Sequence, residues 1–176
     1  MPLSRLRATL APALALAVIS PFALAQDQSV APAQAVPKWL VNCTNTGADG
    51  ALQCNMSQSV VLTATGARIL SVTIQKPGGQ DDPTMMVTLP HGLFLPTGVR
   101  MSIDSEARKT LEVQTCEAAG CYAGLVIEPA LLEALRMGNE FTFVIKDMQK
   151  RDITLTLTLD GFADSYATLP RSPIPE

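Results

Sequence analysis

The residues of this chain with the most distinctive chemistry are four cysteines, in two sequence-neighbour pairs: Cys43 with Cys54, and Cys116 with Cys121. A four-cysteine zinc site needs pairs separated by about two to four residues, a spacing that the first pair exceeds. The redox motif Cys-X-X-Cys is absent. We therefore predict two structural disulfides, with sequence neighbours favoured among the three connectivities that four cysteines allow. Each would contribute roughly 2 to 3 kcal/mol to stability.

The only histidine, His91, stands in the turn-like segment Pro90-His91-Gly92. One histidine cannot form a catalytic histidine pair or a multi-histidine metal site. The Gly-x-Ser-x-Gly elbow of serine hydrolases is also absent. The acidic groups Asp81-Asp82 and Asp104-Ser105-Glu106 do not match the oxygen spacing of a calcium loop. The sequence thus predicts a protein that is not an enzyme, with no catalytic residue, metal or cofactor.

The first 25 residues have the three parts of a secretory signal. Arg5 and Arg7 precede an apolar run over residues 8–19, and Ala23-Leu24-Ala25 provides the small residues of a cleavage site. A membrane span needs roughly 20 apolar residues, so the run is too short to be an anchor. We predict a signal peptide over residues 1–25. The mature protein is then expected in the periplasm, at the outer membrane or outside the cell.

Composition excludes two classes of partner. The 176 residues are 47% hydrophobic and only 16% charged, which predicts a folded domain with an aliphatic core. Without the two leader arginines, 11 of the 13 basic residues remain against 16 acidic ones. Such a surface repels nucleic acid and anionic headgroups. We predict no nucleic-acid partner and, because no later apolar stretch is long enough, no membrane span in the mature chain.

Polar, turn-forming stretches divide the rest of the chain into short apolar segments. Residues 26–37, rich in Ala, Gln and Pro, predict a flexible linker, residues 38–169 a single domain and residues 170–176 a disordered tail. Within the domain, alternation such as Phe141, Phe143 and Ile145 indicates strands with one buried face. About nine such strands with one short helix predict an all-β fold. The architecture expected is an antiparallel β-sandwich or a closely related barrel.

Local signals predict further details. The helix is expected to begin at Pro129 and to end at Gly138 in a left-handed conformation. A charged turn over residues 105–109 is expected to separate two strands, the second of which covers residues 110–115. In the cysteine turn that follows, Gly120 is the residue expected to need a positive φ.

Five apolar residues form a candidate contact surface: Met85, Met86, Leu93, Phe94 and Leu95. The two methionines are neighbours on a predicted strand, so one of them must face the core. Leu93, Phe94 and Leu95 lie in a compact crossover expected to pack beneath the sheet. Two interpretations of these residues are open: they fill the core, or they line an apolar groove for a small ligand or a lipid.

An ordered set of motifs runs through residues 39–169. The motifs, in order, are Trp39-x-Val41-x-Cys43, Cys54-x-Met56-x-Gln58, Leu89-Pro90-x-Gly92-x-x-Leu95-Pro96-x-Gly98-Val99, Asp104, Cys116-x-x-x-Gly120-Cys121-x-Ala123, Leu131-Leu132-x-Ala134-Leu135-x-x-Gly138 and Gly161-Phe162. Over these residues the chain resembles the invasion-associated locus B family of exported bacterial proteins.

The resemblance implies a small periplasmic, envelope-associated or secreted protein with no established catalytic site, linked in some pathogens to entry into host cells. A protein partner in the envelope or on a host cell is expected. The alternative is a periplasmic module that binds a small ligand or lipid through an apolar groove. The chain departs from the family pattern near its end. Asp160 replaces the Lys that usually precedes Gly161-Phe162, and Asp164-Ser165-Tyr166 replaces small or apolar residues.

Overall fold

Two antiparallel sheets and two short helices make up the described part of the chain. The computed structural model describes residues 33–35, 39–45 and 52–172, which all belong to one compact unit. The predicted signal peptide, most of the predicted linker and the last four residues of the predicted tail lie outside these ranges.

The elements follow one another in this order. The strands are β1 (Ala33–Ala35), β2 (Leu40–Asn45), β3 (Leu52–Leu62), β4 (Arg68–Gln75), β5 (Thr84–Leu89), β6 (Val99–Ile103), β7 (Glu106–Leu111), β8 (Thr115–Glu117), β9 (Gly120–Val126), β10 (Glu140–Lys146) and β11 (Asp152–Thr158). The helices are α1 (Pro129–Met137) and α2 (Phe162–Thr168), and a 3₁₀ turn spans Leu95–Thr97.

The strands form two separate sheets. The larger has the order β1-β3-β4-β5-β9-β8, with β2 pairing with β3 beside β1, and the smaller has the order β11-β10-β6-β7. The sheets do not close into a barrel, so the sandwich is the predicted architecture that is present. The all-β prediction is confirmed. The described residues contain eleven strands rather than about nine, and two of these, β1 and β8, have only three residues each.

The core lies where the inner faces of the sheets meet, because strand side chains alternate between the two faces. Phe141 and Phe143 of β10 are fully buried, with ring centroids 4.4 Å apart. Ile145, Leu155 and Leu157 continue the same buried layer, as the alternation predicts. Burying one such side chain contributes about 1.5 to 3 kcal/mol.

Trp39 links the start of the domain to its end. Its indole is 3% exposed and meets the ring of Phe162 edge-on, with centroids 5.0 Å apart. The indole Nε1–H donates to the carbonyl oxygen of Thr158 at 3.0 Å, and the Ser165 hydroxyl donates to the carbonyl oxygen of Trp39 at 2.9 Å. Trp39 is therefore part of the core.

Lys76 holds the C-terminal end of α2. Its Nζ donates to the carbonyl oxygens of Tyr166 and Leu169 at 2.7 and 2.8 Å and lies 4.1 Å from the centroid of the Tyr166 ring. Burial, and secondarily the charge of Arg171, lowers the pKa of Lys76. The Ser172 N–H donates to the carbonyl oxygen of Lys76, so the first residues of the predicted tail, up to Ser172, pack against the domain.

The predicted charged turn over residues 105–109 is wrong. The connection between β6 and β7 is a two-residue turn in which Asp104 and Ser105 have φ of 49° and 66°. Positive φ at both central positions matches the right-handed twist of a hairpin and is usually provided by Asn-Gly, Asp-Gly or Gly-Gly. Ser105 takes the place of that glycine, so the turn was not recognised in the sequence. The charged residues that follow are therefore part of β7. The second predicted strand, over residues 110–115, is correspondingly divided between β7 in one sheet and β8 in the other.

Two glycines are required for different reasons. Gly120 has φ of +147°, as predicted, and a Cβ there would lie 2.5 Å from the carbonyl oxygen of Leu89. Gly138 was predicted to be left-handed, but its φ is −78° and its conformation is extended. It is needed for space, since a Cβ would lie 2.5 Å from Cγ2 of Ile103.

β1 lies within the segment predicted to be a flexible linker. It pairs with residues 60–62 of β3, beyond the part of β3 that β2 covers. Backbone hydrogen bonds to an open strand edge need no side-chain pattern. The Ala-Gln composition of this segment therefore gave no indication of the strand.

Asp104 connects the β6–β7 turn to the start of β10, and this contact makes stability depend on pH. Oδ1 accepts the N–H groups of Asn139 and Glu140 at 3.0 and 2.9 Å. These hydrogen bonds, the one from Glu140 first, lower the pKa of Asp104. A carboxyl group with a depressed folded-state pKa contributes stability above its unfolded pKa, about 3.9, and this is lost as pH falls through the folded value.

We expect Asp104→Asn to lower the thermal unfolding midpoint by a few degrees at pH 7. Asn tolerates positive φ, so the change removes charge rather than conformation. The difference from wild type should shrink as pH falls below about 4 and vanish once Asp104 is protonated in both folded and unfolded chains. Thermal unfolding followed by circular dichroism from pH 7 to 2 measures this, with the exposed Asp160→Asn as control. A difference that is constant across this range would contradict the assignment.

Gln58 is a buried polar side chain in the inward-facing row of β3. It is 3% exposed, and neither its Oε1 nor its Nε2 has a hydrogen-bond partner among the described residues. An unsatisfied buried amide costs about 1 to 3 kcal/mol.

We expect Gln58→Met to raise the free energy of unfolding by about 1 kcal/mol or more, measured by urea denaturation. Gln53→Met, at an exposed position of the same strand, should change it little. A destabilised Gln58→Met protein would show that the amide is hydrogen-bonded.

Candidate interaction surface

The cysteines pair as sequence neighbours, Cys43 with Cys54 and Cys116 with Cys121. In each pair the two residues are directly opposite each other in adjacent antiparallel strands, β2 with β3 and β8 with β9. The described residues contain no free cysteine. Both disulfides therefore pin hairpins, and neither sulfur pair is available for zinc or as a free thiol nucleophile.

The first hairpin forms an arm at the edge of the larger sheet. We define the N-terminal arm as β2 together with residues 52–57 of β3. All six residues of β2 are exposed. Three apolar side chains of the arm face solvent: Leu40 is 56% exposed, Val41 36% and Leu52 55%. Cys54 is 2% exposed, so the disulfide joins the outer strand of the arm to a residue at the core.

β2 lacks the usual protection of an edge strand. Among the described strands it pairs with β3 only, so its other edge presents unpaired backbone groups. Natural edge strands are commonly protected by charged residues, proline or bulges. β2 contains no charged residue and no proline, and its pairing with β3 runs through six positions without a register shift. In contrast, the edge strand β7 carries Glu106, Arg108 and Lys109. The arm is therefore an edge open to another strand.

The five residues of the predicted apolar contact surface do not form one surface. Met85 is buried in the core at 1% exposure, whereas its neighbour Met86 is 41% exposed on the outer face of the larger sheet. Leu93 forms an isolated bridge with Asp147, and the Phe94 ring lies under Lys150, with Nζ 5.0 Å from the centroid. Leu95, 39% exposed, follows in the 3₁₀ turn. Adjacent strand residues point to opposite faces, which is why Met85 and Met86 separate. The crossover packs against the C-terminal end of β10, in the smaller sheet.

His91 and Asp104 have structural partners. The Nε2–H of His91 donates to the carbonyl oxygen of Glu117 at 2.8 Å, which ties the loop after β5 to the cysteine turn. Asp104 accepts backbone N–H groups as described above, and Asp81 offers its carbonyl oxygen to Arg171. Over residues 39–45 and 52–172, no three His, Cys, Asp or Glu side chains converge as metal ligands would. Within the same ranges, no helix is long and apolar enough to cross a membrane.

Reasoning from the sequence missed the arm as a surface. Which face of β2 is buried depends on what lies on either side of the strand, and this is a property of the tertiary fold. A weak signal was present. Leu40 and Val41 are adjacent apolar residues, so in a strand they point to opposite faces, and at least one must be exposed unless both faces are covered.

The sequence matches the model of the family described as "Invasion associated locus B (IalB) protein" over residues 39–170. Two curated relatives are invasion protein B homologues of Brucella abortus, one from strain 2308 and one from biovar 1 strain 9-941. Each is 27% identical over 126 residues, which is 70% of this chain and 70% of the relative. These proteins are named as invasion proteins and not as enzymes.

A solved structure has the same fold. The crystal structure of invasion associated protein B from Bartonella henselae matches with a TM-score of 0.63 at 21% identity, covering 73% of this chain and 88% of the other. At this identity the likeness concerns the fold alone. Together with the family match over residues 39–170, which include both disulfides and both helices, it is consistent with the motifs found in the sequence. The chain belongs to the invasion-associated locus B family.

Proposed function

We propose that this protein is an exported, non-catalytic interaction protein that binds a protein partner through its N-terminal arm. The observation that carries the proposal is the open edge of β2, six exposed residues without charge or proline. A partner would add an extended segment to this edge, so that main-chain hydrogen bonds provide affinity, while Leu40 on one face of the arm and Leu52 on the opposite face provide apolar contacts.

The disulfide makes the arm suited to binding. A free two-stranded hairpin is marginally stable in water, so ordering it on contact would cost conformational entropy. Cys43–Cys54 fixes the register of the two strands at mid-length, and Trp39 anchors the root of β2 in the core. The arm is therefore preorganised, and less of the interaction free energy is lost on binding.

Export is supported by two features of the chain and by the names of its relatives. The first 25 residues have the pattern of a secretory signal. Disulfides persist in oxidising compartments such as the periplasm, and both pairs are formed here. The family relatives are named for invasion, which supports a partner in the envelope or on a host cell and a contribution to host-cell entry. We assign the protein to the periplasm, the outer membrane or the extracellular space.

We expect the double substitution Leu40→Ser, Leu52→Ser to weaken capture of the partner at least tenfold without unfolding the domain, because both side chains are more than half exposed. Purified protein is used as bait on envelope fractions and on intact host cells, and captured proteins are quantified by mass spectrometry. A strain carrying the same substitutions should enter host cells as poorly as a deletion strain.

A matched control is available on the same domain. Met137 and Met148 are 75% and 62% exposed and lie outside the arm, so Met137→Ser, Met148→Ser removes comparable apolar surface. This control should retain capture, whereas Cys43→Ser, Cys54→Ser should lose it by loosening the arm. Equal capture by wild type and the Leu40, Leu52 variant would refute the arm as the binding surface, as would a captured species that is only a second copy of this chain.

A further inference from the structure

A cleft opens between the two sheets at the edge opposite to the arm. It has a volume of about 190 Å³ and lies between β7, the second half of β9 and the start of α1. Its deep part is apolar: Met101 is 2% exposed, and Leu125 and Leu131 are half-buried. Its rim is charged and carries Arg108, Lys109 and Glu128. β8 pairs only with residues 120–122 of β9, so residues 123–126 have no described strand on this side, where the Gln114 amide donates to the carbonyl oxygen of Gly124 at 3.4 Å.

A β-bulge brings the two rim cations to the same side. In the pairing of β6 with β7, Met101 is opposite Lys109 and Ser102 is opposite Ala107, which leaves Arg108 as an extra residue. In a regular strand, adjacent residues such as Arg108 and Lys109 would point to opposite faces. A bulge re-aims side chains, and here both cations line one cleft. Two positive charges thus stand over an apolar floor.

Each rim cation has a carboxylate partner at the surface, and the Lys109 pair is the longer one. Lys109 Nζ lies 3.9 Å from Glu128 Oε1, and the two side chains are 52% and 74% exposed. Exposed ion pairs of this kind contribute about 0 to 1 kcal/mol, so an incoming anion can replace Glu128 at little cost. Arg108 pairs with Glu106 at 2.6 Å through Nη2, and a guanidinium has further N–H donors available for a second oxygen.

We propose that this cleft binds a small single-chain amphiphile with an anionic head, such as a medium-chain carboxylate. The head lies between Arg108 and Lys109, and the hydrocarbon lies on Met101, Leu125 and Leu131. The proposal is independent of the arm, since β3, β4 and β5 separate β2 from β9 in the larger sheet. Its failure would therefore leave the proposed function untouched.

The volume of the cleft limits the length of the ligand's hydrocarbon chain. A dry apolar cavity of about 150 Å³ holds one benzene molecule. A cleft of about 190 Å³ therefore fits a hydrocarbon group of about six to eight carbons and is too small for the two acyl chains of a phospholipid. The proposed ligand is thus a free amphiphile and not a lipid in a bilayer.

The test is a titration with octanoate, followed by calorimetry and by the methyl resonances of ¹³C-methyl methionine. We expect saturable binding with a shift of the Met101 methyl and none at the exposed Met137 and Met148 methyls. Uncharged 1-octanol should bind at least tenfold more weakly. No saturation up to 10 mM octanoate (about −2.7 kcal/mol), or equal binding of octanol, would overturn the proposal.

Variants test the role of the two cations. Arg108→Gln, Lys109→Gln should weaken octanoate binding at least tenfold, and Lys109→Gln alone, at a half-exposed site, should weaken it measurably and provides the test if the double variant unfolds. Lys150→Gln, Arg151→Gln removes the same charge from the other adjacent basic pair and should leave binding unchanged. Equal weakening by both pairs of substitutions would contradict a specific site.

Flotation with phosphatidylglycerol vesicles should show no binding. Vesicle binding that is lost in the Arg108→Gln, Lys109→Gln variant would contradict the assignment to a free amphiphile.

Discussion

The indole of Trp39 is the contact on which the rest of the arrangement depends. It lies at the start of the described domain, yet its partners are Thr158, Phe162 and Ser165 at the end of the chain. Thr158 belongs to the smaller sheet, and β2 of the larger sheet begins at the next residue, Leu40. The contact therefore closes the sandwich and fixes the root of the arm. The stacking of Phe162 with Tyr166, and the cation of Lys76 over Tyr166, extend this closure to the end of β4.

Much of the fold could be predicted from alternation, because a strand with one buried face leaves a period of two in its sequence. Phe141, Phe143 and Ile145 were assigned inward on this basis and are buried. The same reasoning separated Met85 from Met86. What alternation could not provide was the position of the β6–β7 turn, since Asp104 and Ser105 adopt positive φ without being glycine. It also missed β1, whose pairing uses backbone groups only.

The surfaces were much less predictable than the core. The candidate site chosen from the sequence grouped five apolar residues by their nearness in the chain, and the fold distributes them over the core, one sheet face and a crossover. The two surfaces that the structure reveals depend on properties that arise only after folding. One is the open edge of β2. The other is a bulge that turns the adjacent Arg108 and Lys109 to the same side.

The position of the first disulfide has a consequence for how the protein must be prepared. Each disulfide joins an exposed cysteine, Cys43 or Cys116, to a buried one, Cys54 at 2% or Cys121 at 3% exposure. The core around Phe141 includes Cys54 but neither Cys43 nor any other residue of β2, so most of it does not rely on that bond. Material in which only Cys43–Cys54 is reduced would then keep a cooperative melt while its arm is loose. The circular dichroism spectrum and the thermal melt would then not report on binding by the arm. The oxidation state of Cys43 is the property to assay in each batch.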